Sequence, residues 1–399
     1  MNKKFHLEIS EPMLIYQGQP GDDRWGRNQF PLMMKTEAGG YYAAWEYGTD
    51  TIYYESVLRE AVSDDGVSWR SKNENDKIVY YHKSKDGNYF AGFLRKGTHK
   101  IDYHTKYTPI LEGKNGGKRF FASQIEESDD KEVYGIEIDG KTGEERIFTC
   151  KINWPYMALG MPTSDEVYPA TMVFALSQRS GIISVGDRMY YCLYTHGFNS
   201  DATCDEDAIL PYPNCGGVYV LYSDDCGHTW NYLSEVLVDD SSFNADAGFE
   251  GFVEPSMCLM PDGSFVMLIR TGCNHPSYIT RSADNCKSWS KPEIFDDIGV
   301  LPQILALNCG VTIASYGRPV FKVRGTSDPA GLEWEEPIVI PLSGYDGHGD
   351  VRESCYYTDL LPISDTEAFL IHSDFHYKNP DGIGVKSILY RKIKVIFDE

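Results

Sequence analysis

The sequence predicts an all-β fold, a six-bladed β-propeller formed as one domain over residues 1–399. Three observations predict it. Short strand-like runs follow turn signals along the chain, helical periodicity is hard to find, and four Ser/Asp turns each close on a tryptophan.

The strand-like runs come first. Tyr41-Tyr42-Ala43-Ala44-Trp45 follows Ala38-Gly39-Gly40, and Met189-Tyr190-Tyr191-Cys192-Leu193-Tyr194 follows Gly186-Asp187. Gly217-Val218-Tyr219-Val220-Leu221-Tyr222 has the same character. Ser264-Phe265-Val266-Met267-Leu268-Ile269 begins directly after Pro261-Asp262-Gly263, and Ala368-Phe369-Leu370-Ile371-His372 comes soon after Ser364-Asp365. Such runs allow a sandwich, a barrel or a propeller.

The repeats decide among them. Ser223-Asp224-Asp225-Cys226-Gly227-His228-Thr229-Trp230 fits S-x-D-x-G-x-T-W at every defined position. Ser282 to Trp289 fits with Cys286 for Gly and Ser288 for Thr, and Ser63 to Trp69 is one residue shorter. Ser327 to Trp334 keeps Ser, Gly and Trp with the Asp displaced to Asp328. In such a turn Ser and Asp side chains bond nearby backbone N–H groups. Gly supplies a positive φ, and Trp packs beneath the hairpin. The tryptophans at 69, 230, 289 and 334 are 161, 59 and 45 positions apart. A four-stranded blade needs roughly 40–50 residues, so the long gap hides one or two blades without a recognisable turn. Six blades is the resulting expectation. Closure of the ring is expected to pair N-terminal with C-terminal strands, which removes exposed edges.

Composition narrows the function classes. With 37 Lys+Arg against 59 Asp+Glu the formal charge is −22, which repels phosphate backbones and anionic membranes. Nucleic acid and membrane partners are therefore not expected, and no apolar stretch is long enough to span a bilayer. The N-terminus has no apolar run behind Lys3-Lys4, so a cytoplasmic location is expected unless a leader has been removed. The ten cysteines form no CxxC pair and read as free buried thiols, with Cys204 and Cys215 the exception to check. No cofactor motif and no zinc pattern appears. The acidic cluster Asp201, Asp205, Glu206 and Asp207 lacks the spacing of a calcium loop.

The four turns resemble the Asp-box (BNR) repeats of the sialidase superfamily, over nearly the whole chain. That resemblance implies a propeller of sialidase type and an exo-acting glycoside hydrolase that cleaves a terminal acidic sugar from a glycan. It also implies site residues. Val253-Glu254-Pro255-Ser256 through Pro261-Asp262-Gly263 to Ile269-Arg270-Thr271 resembles the strand pair carrying a tyrosine-activating Glu and a carboxylate-gripping Arg. By that likeness Glu254 and Arg270 take those roles, with Glu250 as a nearby alternative to Glu254. Ser315-Tyr316-Gly317-Arg318-Pro319 places Arg318 as a second gripping arginine. Cys355-Tyr356-Tyr357-Thr358 is similar to the strand of the nucleophilic tyrosine, matching Tyr357 best and Tyr356 next. Asp50 matches the loop aspartate that serves as acid/base.

The first blade departs from this pattern. Gln29-Phe30-Pro31 stands where the superfamily has an arginine-led tripeptide, so Gln29 replaces the first gripping arginine unless Arg24 or Arg27 substitutes. The chemistry explains the residue types. A tyrosine stays neutral until a neighbouring Glu takes its proton, so it avoids repulsion by the carboxylate of the substrate. Guanidinium groups grip that carboxylate in a planar, two-pronged fashion. The Gln29 departure keeps open a lyase or hydrolase for another uronate or deoxy sugar, with His196, His275 or His348 as a lyase base. A non-catalytic glycan-binding propeller also remains open.

Overall fold

The computed structural model describes residues 4–22, 27–49, 52–79, 84–94, 111–112, 118–119, 133–153, 156–158, 182–195, 197–199, 217–237, 249–272, 275–318, 321–340 and 357–398. Every regular element among them is a β-strand.

The strands form antiparallel meanders. The N-terminal meander runs Arg27–Thr36, Tyr41–Thr49, Ile52–Ser63 and Arg70–Ser71. Two others are Phe249–Leu259, Phe265–Gly272, Ser277–Ser282, Glu293–Asp296 and Val300–Ala306, Thr312–Gly317, Phe321–Thr326, Ile338–Ile340. One seven-stranded sheet contains two meanders. Tyr89–Leu94, Val133–Ile138 and Glu145–Asn153 meet Ile182–Val185, Arg188–Thr195, Gly217–Ser223 and Thr229–Val236 edge to edge. The join is a three-residue parallel pairing, Lys151↔Thr229 to Asn153↔Asn231. The described sheets alone do not count the blades.

The last sheet carries the closure expected from the sequence. Thr358–Pro362, Glu367–Lys378 and Gly384–Phe397 are completed by the N-terminal strand Phe5–Ile9, paired from Phe5↔Phe397 to Ile9↔Ile393. The leading strands of successive sheets pack side by side: Phe249–Leu259 on Val300–Ala306, that strand on Thr358–Pro362, and Thr358–Pro362 on Arg27–Thr36. Successive sheets stacked by their leading strands are the arrangement of a β-propeller.

The Ser/Asp turns hold as their chemistry requires. Ser63 Oγ accepts the Gly66 N–H at 2.9 Å, while Asp65 accepts Val67 N–H and Ser68 N–H at 2.8 and 2.7 Å. Ser223 and Asp225 repeat this with Gly227 and Thr229, and Ser282 and Asp284 with Cys286, Lys287 and Ser288. Cys286, standing for glycine, adopts φ 62°. The fourth turn corrects the sequence reading. It opens on Thr326 rather than Ser327: Thr326 Oγ1 accepts the Asp328 N–H at 3.0 Å, and Asp328 accepts Leu332 N–H at 2.7 Å. Counted from Thr326 the Asp keeps its place, while one extra residue separates it from Gly331 and Trp334.

Each tryptophan ties its turn into neighbouring structure. Trp69 stands 6.0 Å from Tyr390 of the closing sheet, and fully buried Trp230 lies 5.5 Å from Phe90. Trp289 donates to Ser234 of the preceding sheet at 3.0 Å, and Trp334 meets Phe295 edge-on at 5.2 Å. Six described cysteines are free thiols, four of them buried; Cys204 and Cys215 lie outside the described residues.

Candidate functional site

One end of the leading strands concentrates unusual backbone geometry. Asn28, Phe30, Glu254, Leu301 and Arg318 all have positive φ without being glycine. Such conformations cost of order 1–3 kcal/mol each and gather at functional sites. Here they break the strict alternation of the strands and turn specific side chains and amides toward one another.

Glu254 shows how. The pairing of Phe249–Leu259 with Phe265–Gly272 slips on both sides of Val253, which pairs with Arg270. At φ 46°, Glu254 faces that arginine, and its carboxylate accepts from Arg270 Nη1 at 2.7 Å. The side chains are only 9% and 6% exposed, so this is a buried ion pair. The second carboxylate oxygen accepts the backbone N–H of Leu301 at 3.1 Å. That amide is aimed by the φ of 42° at Leu301.

Tyr357 sits next to this pair. It packs with Val300, Leu301 and Phe375, and its ring lies 4.4 Å from that of Phe30. The Arg318 guanidinium stands 5.7 Å from the ring centre. A hydrogen bond between Ser315 and Thr358 hydroxyls, at 2.8 Å, locks together the two strands that carry Arg318 and Tyr357. Glu254, Arg270, Arg318 and Tyr357 thus gather from three successive sheets. No hydrogen bond joins Glu254 to Tyr357 in this state; both oxygens of the carboxylate are engaged elsewhere.

The N-terminal sheet closes the group. Phe30 brings Gln29 and Asn28 with it. Asn28 donates to the Lys386 carbonyl at 2.8 Å and accepts from Trp45 Nε1 at 3.1 Å. Gln29 is completely buried, and neither atom of its amide has a hydrogen-bond partner among the described residues. Arg27 turns away: its guanidinium lies 3.9 Å over the Tyr47 ring, with Asp22 its nearest carboxylate at 3.7 Å.

Sequence reasoning missed Leu301, Phe30 and Lys386. The Lys386 ammonium lies 4.3 Å over the Phe375 ring and is nearly buried. Its one sequence signal is a lysine in an otherwise inward-facing stretch of the Gly384–Phe397 strand. Arg270, Arg318 and Lys386 thus stand with Glu254 around Tyr357 and Phe375. Asp50, Arg24, Tyr356, His196, His348 and the 201–207 cluster lie outside the described residues, as does the side chain of Glu250. His275 is described, half-buried just ahead of the Ser277–Ser282 strand.

The fold and site define a class: an all-β propeller with a buried Glu–Arg pair and a tyrosine at one end of its leading strands. No family model matches the chain, and no curated protein matches it. Among solved structures, it is similar to a Dyadobacter fermentans protein of unknown function. The identity is 17%, with 98% of this chain and 99% of that one covered, at a TM-score of 0.58. This likeness concerns the fold alone. Looser overlaps exist with a Penicillium chrysogenum α-L-arabinanase (11% identity, 96% and 98% covered, TM-score 0.47). A Hadza microbial sialidase overlaps to the same degree (11%, 97% and 68% covered, TM-score 0.47). Neither overlap is close enough to bear on what this chain does.

Proposed function

We propose that this chain is a glycan-processing propeller, an exo-acting glycoside hydrolase of sialidase type that removes a terminal sugar bearing an acidic group. The observation that carries this reading is the convergence of Tyr357, Arg318 and the buried Glu254–Arg270 pair at one end of the leading strands. Counting the two meanders of the seven-stranded sheet separately supports six blades.

In this reading Arg270 and Arg318 hold the acidic group of the sugar by charge-assisted hydrogen bonds. The Tyr357 oxygen attacks the anomeric carbon as its proton passes to Glu254, and Asp50 protonates the leaving oxygen. A covalent glycosyl–tyrosine results, which water then hydrolyses with Asp50 acting as base. Glu254 faces Arg270 in the resting state, so the substrate carboxylate must draw Arg270 toward itself and free Glu254 for the phenol. Catalytic hydrogen bonds commonly tighten only with substrate in place.

Gln29 favours a sugar other than sialic acid. It places a neutral amide where a third arginine would stand, and Arg27 is turned to Tyr47 instead. The test is a panel of fluorogenic aryl glycosides: a sialoside, a uronoside and a neutral pentoside, with wild type and Tyr357→Phe. Turnover of one of the acidic glycosides that falls at least about 10³-fold in Tyr357→Phe supports the reading. Full activity in that variant, or turnover of the neutral pentoside alone, overturns it. Formation of an unsaturated uronate from a uronate glycan replaces it with a lyase.

A further inference from the structure

We infer that Arg27, Tyr47 and Arg59 form a second site, at the rim of the N-terminal sheet, that binds an oxyanion group (carboxylate or sulfate ester) of an acidic sugar. The site is separate from the Tyr357 group and does not depend on the hydrolase reading.

Tyr47 is the centre of the arrangement. The Arg59 guanidinium lies 3.4 Å from its ring centre and the Arg27 guanidinium 3.9 Å. Two guanidinium groups cannot both stand that close over one face, so the ring is sandwiched between them. The three residues come from adjacent strands, with Arg27 paired to Tyr47 and Arg59 paired to Trp45. Arg59 also donates to the Tyr16 hydroxyl, and the Tyr16 ring packs 5.1 Å from Trp45. Both guanidinium planes are therefore held before any ligand arrives.

The charges do not balance. Among the described residues Asp22 is the one carboxylate of the cluster: it accepts from the Tyr47 hydroxyl at 2.5 Å and lies 3.7 Å from Arg27. That hydrogen bond, then burial, raises the phenol above its ordinary pKa despite the two cations, so Tyr47 stays neutral. Arg59 makes no ion pair among the described residues. Its sequence neighbour Glu60 serves Tyr42 at 2.8 Å and Lys72 at 3.5 Å. Two fixed guanidinium groups thus share one carboxylate. Like charges held this close repel each other, an arrangement that an added anion relieves.

The location suits a glycan. Arg27 and Tyr47 occupy the end of the N-terminal sheet from which Gln29 and Phe30 lead to Tyr357. Flat guanidinium forks recognise carboxylate or sulfate bidentately.

Calorimetric titration tests this without any turnover, using D-glucuronate, glucose 6-sulfate and glucose on wild type, Arg59→Gln and Arg59→Lys. At least one acidic sugar should bind about tenfold or more tightly than glucose, and the tighter one identifies the group. Arg59→Gln should weaken that binding about tenfold, and Arg59→Lys should weaken it less. Equal binding of glucose and both acidic sugars overturns the site. So does unchanged affinity in a folded Arg59→Gln or, if that variant fails to fold, in Arg59→Lys; the stack is then a structural strut.

Discussion

Glu254 and Arg270 meet at 2.7 Å as a buried ion pair, and the second oxygen of the Glu254 carboxylate is held by the Leu301 amide on the next sheet. The pair is therefore both an electrostatic unit and a clamp between two sheets. Breaking it from one side leaves an uncompensated buried charge, which costs about 3–5 kcal/mol. Glu254→Ala should lose about that much in urea denaturation. A double Glu254→Leu, Arg270→Met variant should lose clearly less. Equal losses would show that packing rather than charge holds this contact.

Gln29 sets stability against function. A buried amide with no partner costs about 1–3 kcal/mol. Gln29→Leu removes the orphaned atoms at similar volume and should leave the fold as stable or more stable in thermal unfolding. If Gln29 reads a sugar hydroxyl, the same variant should raise KM for any substrate that wild type turns over. A large fall in Tm would show that the amide is satisfied in solution by water.

His372 makes the closing sheet sensitive to mild acid. Burial drives its pKa down to about 4, opposed by Asp374 and aided by Arg391. The unfolded imidazole titrates near 6.5, so between these values the unfolded chain binds a proton that the folded one does not. Stability is complete above about pH 6.5 and falls as pH drops toward 4, by up to about 3 kcal/mol. Denaturation midpoints across that window should show the slope, and His372→Gln should flatten it.

The turn aspartates act lower on the scale. Hydrogen bonds from the Ser68 and Val67 amides and the Ser63 hydroxyl hold Asp65 down to about 2. The Ser288 hydroxyl and amide, with the Ser282 hydroxyl, do the same for Asp284. Both carboxyls titrate near 3.9 when unfolded, so their contribution is present above that value and is lost as pH falls toward 2. A double Asp65→Asn, Asp284→Asn variant should show a lower Tm at neutral pH and a shallower fall of Tm below pH 4 than wild type. An unchanged slope would show that other carboxylates govern acid unfolding.

Much of this was legible beforehand. Tyr41 to Trp45 and Phe265 to Ile269 alternate or run apolar between Gly-rich turns, and both form strands. The Ser–Asp spacing of the turns is local chemistry, spelled out within eight residues. Only at Thr326 did the reading slip, because a threonine hydroxyl does the work of a serine. The likeness to a known superfamily pointed to four side chains that the structure does gather, although their roles await the assays above. What could not be read were partners supplied by other strands: the Leu301 amide for Glu254, Tyr47 for Arg27, and the Phe375 ring for Lys386.

By itself, then, the sequence determined the strands, the turn chemistry with its tryptophans, and the pairing of the chain's two ends, because each follows from short-range patterns or from the need to cover an edge. The tertiary structure alone decided that Glu254 faces Arg270, that Arg27 leaves the Tyr357 group for Tyr47, and that Gln29 is buried without a partner among the described residues. The physical reason is backbone geometry. Positive φ angles at Asn28, Phe30, Glu254 and Leu301 break the period-two alternation, so the direction of each side chain depends on which sheet packs against it.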